Sequence, residues 1–413
     1  MTSMAFFERV QKHSFWTIFA VAAVIRITKV LTSVPPPGSG YGELEKVAKS
    51  LALHGTFADP YAISTGPTAH VAPGFTVLLG VIYAVFGVGL QGEQVKRLAS
   101  AIVSSAQYAL LPRVGEAMRV PPWVGTTAGL ISALAPYKSF VETGETAWEQ
   151  PYLALALLLL FLHTLRTWAS PVQTVGSSAL TGFYWSIATY ISPISGVVFA
   201  AVMVHDVVAF RQLRSAVIAG IAFAALQTPW IARNSDQLHG FVAGRSNFGI
   251  EFHMSNRAES FVLMEDNASA GLFTQLSPSL NVPAALMLRS LGEVEYNRRQ
   301  LRDGLAWVRL HPGQFASRTI ERFWRFWLYP SHRWKSTLVT TIITLLGFVG
   351  LWRLPAGPAI RLTSIILISY PLIYYLIQVD RRYRYPIEWI LIVPAIHVFS
   401  QIVRASRRAP RTL

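Results

Sequence analysis

Between Glu149 and Arg166 the chain reads Gln150-Pro151-Tyr152-Leu153-Ala154-Leu155-Ala156-Leu157-Leu158-Leu159-Leu160-Phe161-Leu162-His163-Thr164-Leu165, a run without Asp, Glu, Lys or Arg. Coiled as a helix it reaches most of the way across about 30 Å of hydrocarbon, and it leaves no polar face for water. Apolar blocks of this kind recur at residues 13–33, 73–90, 95–112, 122–137, 150–167, 175–191, 194–210, 214–231, 336–353, 358–378 and 386–403. The expected fold is all-α, a polytopic bundle of about 10 to 11 membrane helices.

Composition agrees with that expectation. The 413 residues are 52% hydrophobic and 14% charged, against about 25% charged in a soluble domain. A net charge of +15 would attract phosphates of any kind. Its distribution argues against nucleic acid: many Lys and Arg residues lie in short segments between apolar blocks and near the end, as at Arg404, Arg407, Arg408 and Arg411, the marking of cytoplasmic loops. There is no cysteine, hence neither disulfides nor thiolate metal sites. Arg9 and Lys12 precede an apolar run with no small-residue cleavage site after it, so an uncleaved first membrane helix is expected.

Two polar stretches, 35–72 and 232–335, are too long to be plain connectors in a single membrane domain spanning 1–413. The basic tail, Arg353 and Arg361, Arg211 and Arg214, Arg166, and Arg113 and Arg119 are placed in the cytoplasm. That puts 232–335, 138–149, 379–386 and 91–95 outside, and the basic N-terminus puts 35–72 outside as well. Both first loops can lie outside only if the short, Gly-rich block 73–90 dips into the membrane or lies in its interface without crossing, which leaves ten full crossings.

The first outer loop opens with Pro35-Pro36-Pro37-Gly38, a helix stop, and continues through Glu43-Leu44-Glu45-Lys46-Val47-Ala48-Lys49-Ser50-Leu51. Leu44, Val47, Ala48 and Leu51 share a helical face, predicting a short amphipathic helix along the membrane surface with Glu43 at its start. Glu43 there either complements the helix dipole or serves as general base for an acceptor hydroxyl, with Glu45 as the alternative carboxylate. Thr65-Gly66-Pro67-Thr68-Ala69-His70-Val71-Ala72-Pro73 is a rigid extended approach presenting Thr68 and His70; the turn explains the prolines but gives no reason for the histidine.

These residues resemble the membrane glycosyltransferases of the C superfamily, and among them the bacterial relatives of dolichyl-phosphate-mannose protein mannosyltransferases and of the lipid A aminoarabinose transferase. The likeness continues through Thr228-Pro229-Trp230-Ile231-Ala232-Arg233-Asn234, Arg245-Ser246-Asn247-Phe248-Gly249-Ile250-Glu251, Leu291-Gly292-Glu293 with Tyr296, His311-Pro312-Gly313-Gln314-Phe315, Arg322, Phe326-Trp327 and Arg382-Tyr383-Arg384-Tyr385-Pro386. One departure stands out: many members carry an Asp base in the first outer loop, whereas residues 35–45 hold none and Glu43 comes nearest. The resemblance implies an inverting enzyme that moves a sugar from a polyprenyl-phosphate donor to an acceptor at the outer face of the bacterial cytoplasmic (inner) membrane, without a required cofactor or metal.

A glycosyl phosphate needs cations to hold its leaving group, and guanidinium binds two phosphate oxygens at once. Arg233, Arg245, Arg382 and Arg384 stand at expected outer helix ends, where interfacial snorkelling is the alternative role. His70, Glu149, Asn247 and Tyr383 complete the expected substrate-binding set. Glu142, Glu145, Trp148 and Glu149 precede the quoted helix as solvated loop residues or a second acidic site, Glu149 being the most suggestive. Trp307, Phe315, Phe323, Trp324, Phe326 and Trp327 suit the bilayer interface. Neither a Walker loop nor a dinucleotide fingerprint is present. A transporter would need charges within its helices and an internal repeat; the mid-block charges are chiefly Arg26, Lys29, His205 and Asp206, and no repeat is evident. A scaffold of the same fold that has lost its base is the other alternative.

Overall fold

A computed structural model describes residues 3–34, 42–135, 142–143, 149–330 and 334–408, with the side chains of 3–13 and 406–408 left out. The Pro35–Gly38 break, Glu145, Trp148 and Arg411, and the side chains of Arg9, Lys12, Arg407 and Arg408, lie outside the described residues.

Helices make up the fold: α1 (Ser3–Thr32), α2 (Glu43–His54), α3 (Pro73–Phe86), α4 (Leu90–Ala109), α5 (Leu111–Ala117), α6 (Pro122–Leu134), α7 (Gln150–Ala169), α8 (Val175–Ile191), α9 (Ile194–Phe210) and α10 (Leu213–Leu238). Shorter helices follow, α11 (Phe248–Ser255), α12 (Met264–Ser269), α13 (Leu272–Leu276), α14 (Val282–Leu291), α15 (Glu293–Leu310) and α16 (Pro312–Trp327), before α17 (Trp334–Arg353), α18 (Pro358–Ser369) and α19 (Tyr385–Arg408). Extended pairing among the described residues is limited to two isolated bridges, Ala58 with Pro67 and Leu263 with Val379. Six of the described helices are long and apolar enough to cross a membrane: those covering Ser14–Thr32, Gln150–Ala169, Leu213–Leu238, Trp334–Arg353, Pro358–Tyr375 and Arg381–Ala405. The chain is an integral membrane protein.

Several helix boundaries differ from the apolar blocks, each for a physical reason. The segment 91–95, expected as an outer loop, lies inside α4, because Glu93 and Lys96 neutralise one another at 2.6 Å and can both be buried. α3 stops at Phe86, where Gly87 takes φ +83°, a conformation that suits glycine. Its 14 residues span about 21 Å, less than the hydrocarbon thickness. The apolar face of α2 is turned onto α3 rather than lying free on the membrane: Leu44, Val47 and Ala48 pack against Phe75, Leu79 and Tyr83.

Glycines set the closest helix approaches. A Cβ on Gly182 of α8 would stand 2.0 Å from the Ala219 carbonyl oxygen of α10, and one on Gly350 of α17 would stand 2.5 Å from the Pro394 carbonyl oxygen of α19. Small residues at helix crossings are how bilayer helices gain packing contact where the hydrophobic effect offers little. The main core gathers α1, α4–α10, α16, α18 and α19 around Trp185, Phe161 and Trp389. Of the 232–335 stretch, residues 232–238 complete α10 and 334–335 begin α17, and α11–α16 lie between them.

Candidate functional site

Glu293 organises the site. It begins α15, where unsatisfied backbone N–H groups favour a carboxylate, and it is buried. Its Oε1 accepts from the Ala69 backbone N–H at 2.7 Å and from the Ser246 hydroxyl, and its Oε2 accepts from the hydroxyls of Thr68 at 2.5 Å and Tyr61 at 3.2 Å. Four donors on one carboxylate tie the Thr68–His70 segment, the 240s loop and α15 into a single unit. The loop behind it is fixed by Asp59, whose Oδ1 accepts from Ser64, Thr65 and Gly66 while Gly66 holds φ +82°.

The clamped segment delivers His70 to Glu43. His70 is 3% exposed; its Nε2 stands 2.8 Å from Glu43 Oε2 and its Nδ1 3.2 Å from the Tyr61 hydroxyl. The Ser279 hydroxyl donates to the other Glu43 oxygen. Burial acts to raise the Glu43 carboxyl, but the His70 charge and hydrogen bond, Ser279 and Arg245 outweigh it and hold the group down at about 2. For His70, burial opposes protonation, yet the Glu43 carboxylate prevails and the imidazole sits above its ordinary value.

A cavity of about 850 Å³ opens over this pair. Glu43, His70, Glu149, Arg245, Asn247, Arg382 and Tyr383, all singled out from the sequence, line it together, as does Glu45. Arg245 donates Nε to the His70 carbonyl at 2.9 Å and lies 4.0 Å from Glu149. Asn247 caps α11. Arg382 lies over the Tyr383 ring, 5.3 Å from its centroid, and its backbone N–H donates to Asp380 at 2.8 Å. Tyr383 stacks on Tyr374 at 4.4 Å between centroids, both rings lining the cavity. Glu45 is 3.5 Å from Lys96, so it is tied into the α4 ion cluster.

Two expected substrate arginines do not line the cavity. Arg233 donates to the carbonyls of Thr68 at 2.6 Å and Phe57 at 2.8 Å and lies over Phe57 and Trp230, which makes it a clamp on the stretch between α2 and α3. Arg384 is 4% exposed, donates to the Trp327 carbonyl at 2.6 Å and stands 3.5 Å from Glu388 within α19. Helical phase explains the contrast: Arg382 and Arg384 lie two apart in one tight turn and point to different sides. Glu142 also lies elsewhere, 2.7 Å from Arg26 and accepting from the Tyr108 hydroxyl.

Sequence reading passed over Glu251. It closes the Arg245–Glu251 motif, lines the same cavity and accepts from Gln378 Nε2 at 3.2 Å. Burial and the nearby Glu43 charge push it above the ordinary carboxylate value. Its one sequence signal was its place six residues beyond Arg245. A second, apolar cavity of about 590 Å³ is lined by Phe75, Leu78, Tyr152, Tyr190, Ile191 and Trp230. Among the described residues no group of three or more His, Asp or Glu side chains is arranged to hold a metal ion.

No family model matches the sequence, and no curated protein matches it. Solved structures do. The archaeal oligosaccharyltransferase AglB from Archaeoglobus fulgidus, in complex with an inhibitory peptide and a dolichol-phosphate, superposes over 97% of this chain and 52% of its own at a TM-score of 0.54 and 14% identity. The same organism's oligosaccharyltransferase in complex with Zn and sulfate gives 0.55 at 12% identity, covering 95% of this chain and 49% of its own. ArnT from Cupriavidus metallidurans bound to undecaprenyl phosphate matches over 98% of this chain and 79% of its own at 0.40 and 13% identity. The chain thus spans about half the length of the oligosaccharyltransferases. It shares their fold.

Proposed function

We propose that this chain is a membrane glycosyltransferase that takes a sugar from a polyprenyl-phosphate carrier at the outer membrane face and passes it to an acceptor hydroxyl. The observation that carries the reading is a single cavity lined by Arg245 and Arg382 together with Glu43, Glu149 and Glu251, in a fold that also holds an apolar groove of about 590 Å³. Two guanidinium groups suit the phosphate, the groove suits the first isoprene units, and the carboxylates suit sugar and acceptor hydroxyls. Neutralising the phosphate makes it a good leaving group, so positioning and electrostatic stabilisation supply most of the rate.

In this scheme the phosphate sits between Arg245 and Arg382, with Asn247 and Tyr383 beside it. The acceptor enters on the Glu43–His70 side and attacks the anomeric carbon from the face opposite the phosphate. The oligosaccharyltransferase AglB was solved with a dolichol-phosphate, a carrier of the same chemistry. Ten crossings, with both termini in the cytoplasm and residues 232–335 outside, complete the proposed topology. Transport would draw on charged side chains buried within α4, but Lys96 there is held by Glu93 at 2.6 Å and by Glu45 at 3.5 Å.

The direct test is mass spectrometry of cell-envelope glycans and lipids with the gene present, deleted, and restored as Arg382→Ala. One glycan is expected to lose a single sugar on deletion and to stay unmodified in the Arg382→Ala strain. An unchanged envelope on deletion removes the reading.

A further inference from the structure

We propose that Glu251, rather than Glu43, takes the acceptor's proton in this cavity. The assignment rests on the transferase reading above and on how the two carboxylates are held. Both oxygens of Glu43 are already engaged, one by His70 Nε2 at 2.8 Å and the other by the Ser279 hydroxyl. A carboxylate with both oxygens occupied by donors is a poor proton acceptor. Glu251 has one oxygen engaged, by Gln378, and among the described residues no donor meets the other, on a side chain that lines the cavity.

The orientation of Glu251 is built in, not incidental. Gln378 is 0% exposed, and its backbone N–H donates to Ser255 Oγ at 2.8 Å. Its Oε1 accepts from Asn267 Nδ2 at 2.8 Å, which leaves its Nε2 for Glu251. The Asn267 amide is itself fixed, because its Oδ1 accepts from the Phe261 N–H at 2.7 Å while its Nδ2 donates to the Phe261 carbonyl at 3.0 Å. The donor–acceptor sequence runs one way only, so the Gln378 amide cannot be reversed. A base aimed by a third group, at the edge of a substrate-sized cavity, is the arrangement general-base catalysis requires.

The groups around Glu251 set its proton affinity. Glu43 on α2 raises it along with burial, while Gln378, His70 and Arg245 lower it, and the balance lies above an ordinary carboxylate. Lys46, Glu149 and Arg382 are the other charged groups on the cavity wall, beside Glu45 with its Lys96 partner. In the step itself, a bond forms between the acceptor oxygen and the anomeric carbon as the carbon–phosphate-oxygen bond breaks. The bonding pair leaves with the polyprenyl phosphate, and the acceptor's proton passes to Glu251 and then to water at the cavity mouth.

The test uses the full chain in proteoliposomes, with undecaprenyl phosphate carrying radiolabelled mannose, glucose, galactose or arabinose and an envelope extract as acceptor. Label transfer is followed from pH 4 to 9, and binding of plain undecaprenyl phosphate is measured alongside. The wild type is expected to show an acid limb above the ordinary carboxylate range. Glu251→Gln should lower kcat by about 100-fold or more while binding undecaprenyl phosphate within about threefold of wild type, and Glu251→Asp should retain part of the rate and the limb. Glu43→Gln should keep the limb and move it to lower pH, since the Glu43 charge raises Glu251. A Glu251→Gln enzyme of near-normal rate with an unchanged limb overturns the assignment and leaves the transferase reading standing, as does a limb that vanishes in Glu43→Gln alone. A wild type that neither binds undecaprenyl phosphate nor moves any label overturns both.

Discussion

His70 and Glu43 pull each other's protonation in opposite directions, and this sets a pH window for their contribution to stability. Glu43 is lowered from 4.5 to about 2, so its contribution is present above pH 4.5 and fades as pH falls towards 2. His70 is raised above 6.5, so its contribution is full below 6.5 and is lost as pH rises through the folded value. The two overlap between about pH 4.5 and 6.5. The melting temperature of His70→Gln should therefore fall furthest below wild type in that window, and the gap should narrow above it; an equal gap at pH 5.5 and pH 9 contradicts the ion pair. Glu43, His70, Arg245 and Arg382 were legible as candidates because each is a charged or titratable side chain in a stretch with no packing reason to hold it. Glu293 and Glu251 were not, because their partners are remote: Glu293 meets Thr68 across 225 residues of sequence and Glu251 meets Gln378 across 127. No local pattern records such a pairing.

At the scale of elements, two contacts join helices to the site. The Glu293 carboxylate at the start of α15 holds four donors from two other segments. Glu293→Ala strands these buried donors and should cost about 3 kcal/mol or more, read as a lower melting temperature together with weaker undecaprenyl phosphate binding. The crossing of α8 and α10 depends on Gly182, where a Cβ would stand 2.0 Å from the Ala219 carbonyl oxygen. Gly182→Ala should destabilise the detergent-solubilised protein by about 1 to 3 kcal/mol. Gly220→Ala in α10 is the control: nothing lies within 4 Å of its Cβ, so it should be close to neutral. The apolar blocks announced the helices because a backbone in lipid must bond to itself. They did not announce where α4 begins, since mutual neutralisation of Glu93 and Lys96 lets a charged turn extend a buried helix. Nor did they show that α2 faces α3, because an amphipathic face reads the same against lipid and against protein.

Across the whole molecule, the proposal requires the cavity to face outside and the basic loops to face in. The natural absence of cysteine makes single-cysteine labelling clean. Gln91→Cys and Ser290→Cys should react with an impermeant maleimide added to intact cells, and Arg214→Cys and Ala356→Cys only after permeabilisation. Labelling of the first pair from the inside would invert the topology. Arg245 and Arg382 come from distant parts of the chain, one following α10 and the other preceding α19, and the fold brings both to one cavity. Affinity for a prenyl phosphate is the most direct consequence of two guanidinium groups in one cavity. Purified wild type, Arg245→Ala and Arg382→Ala are to be titrated with undecaprenyl phosphate in nanodiscs. Saturable binding by wild type, weakened about tenfold or more by each substitution, is the predicted result; a wild type that does not bind, or three equal affinities, would contradict it.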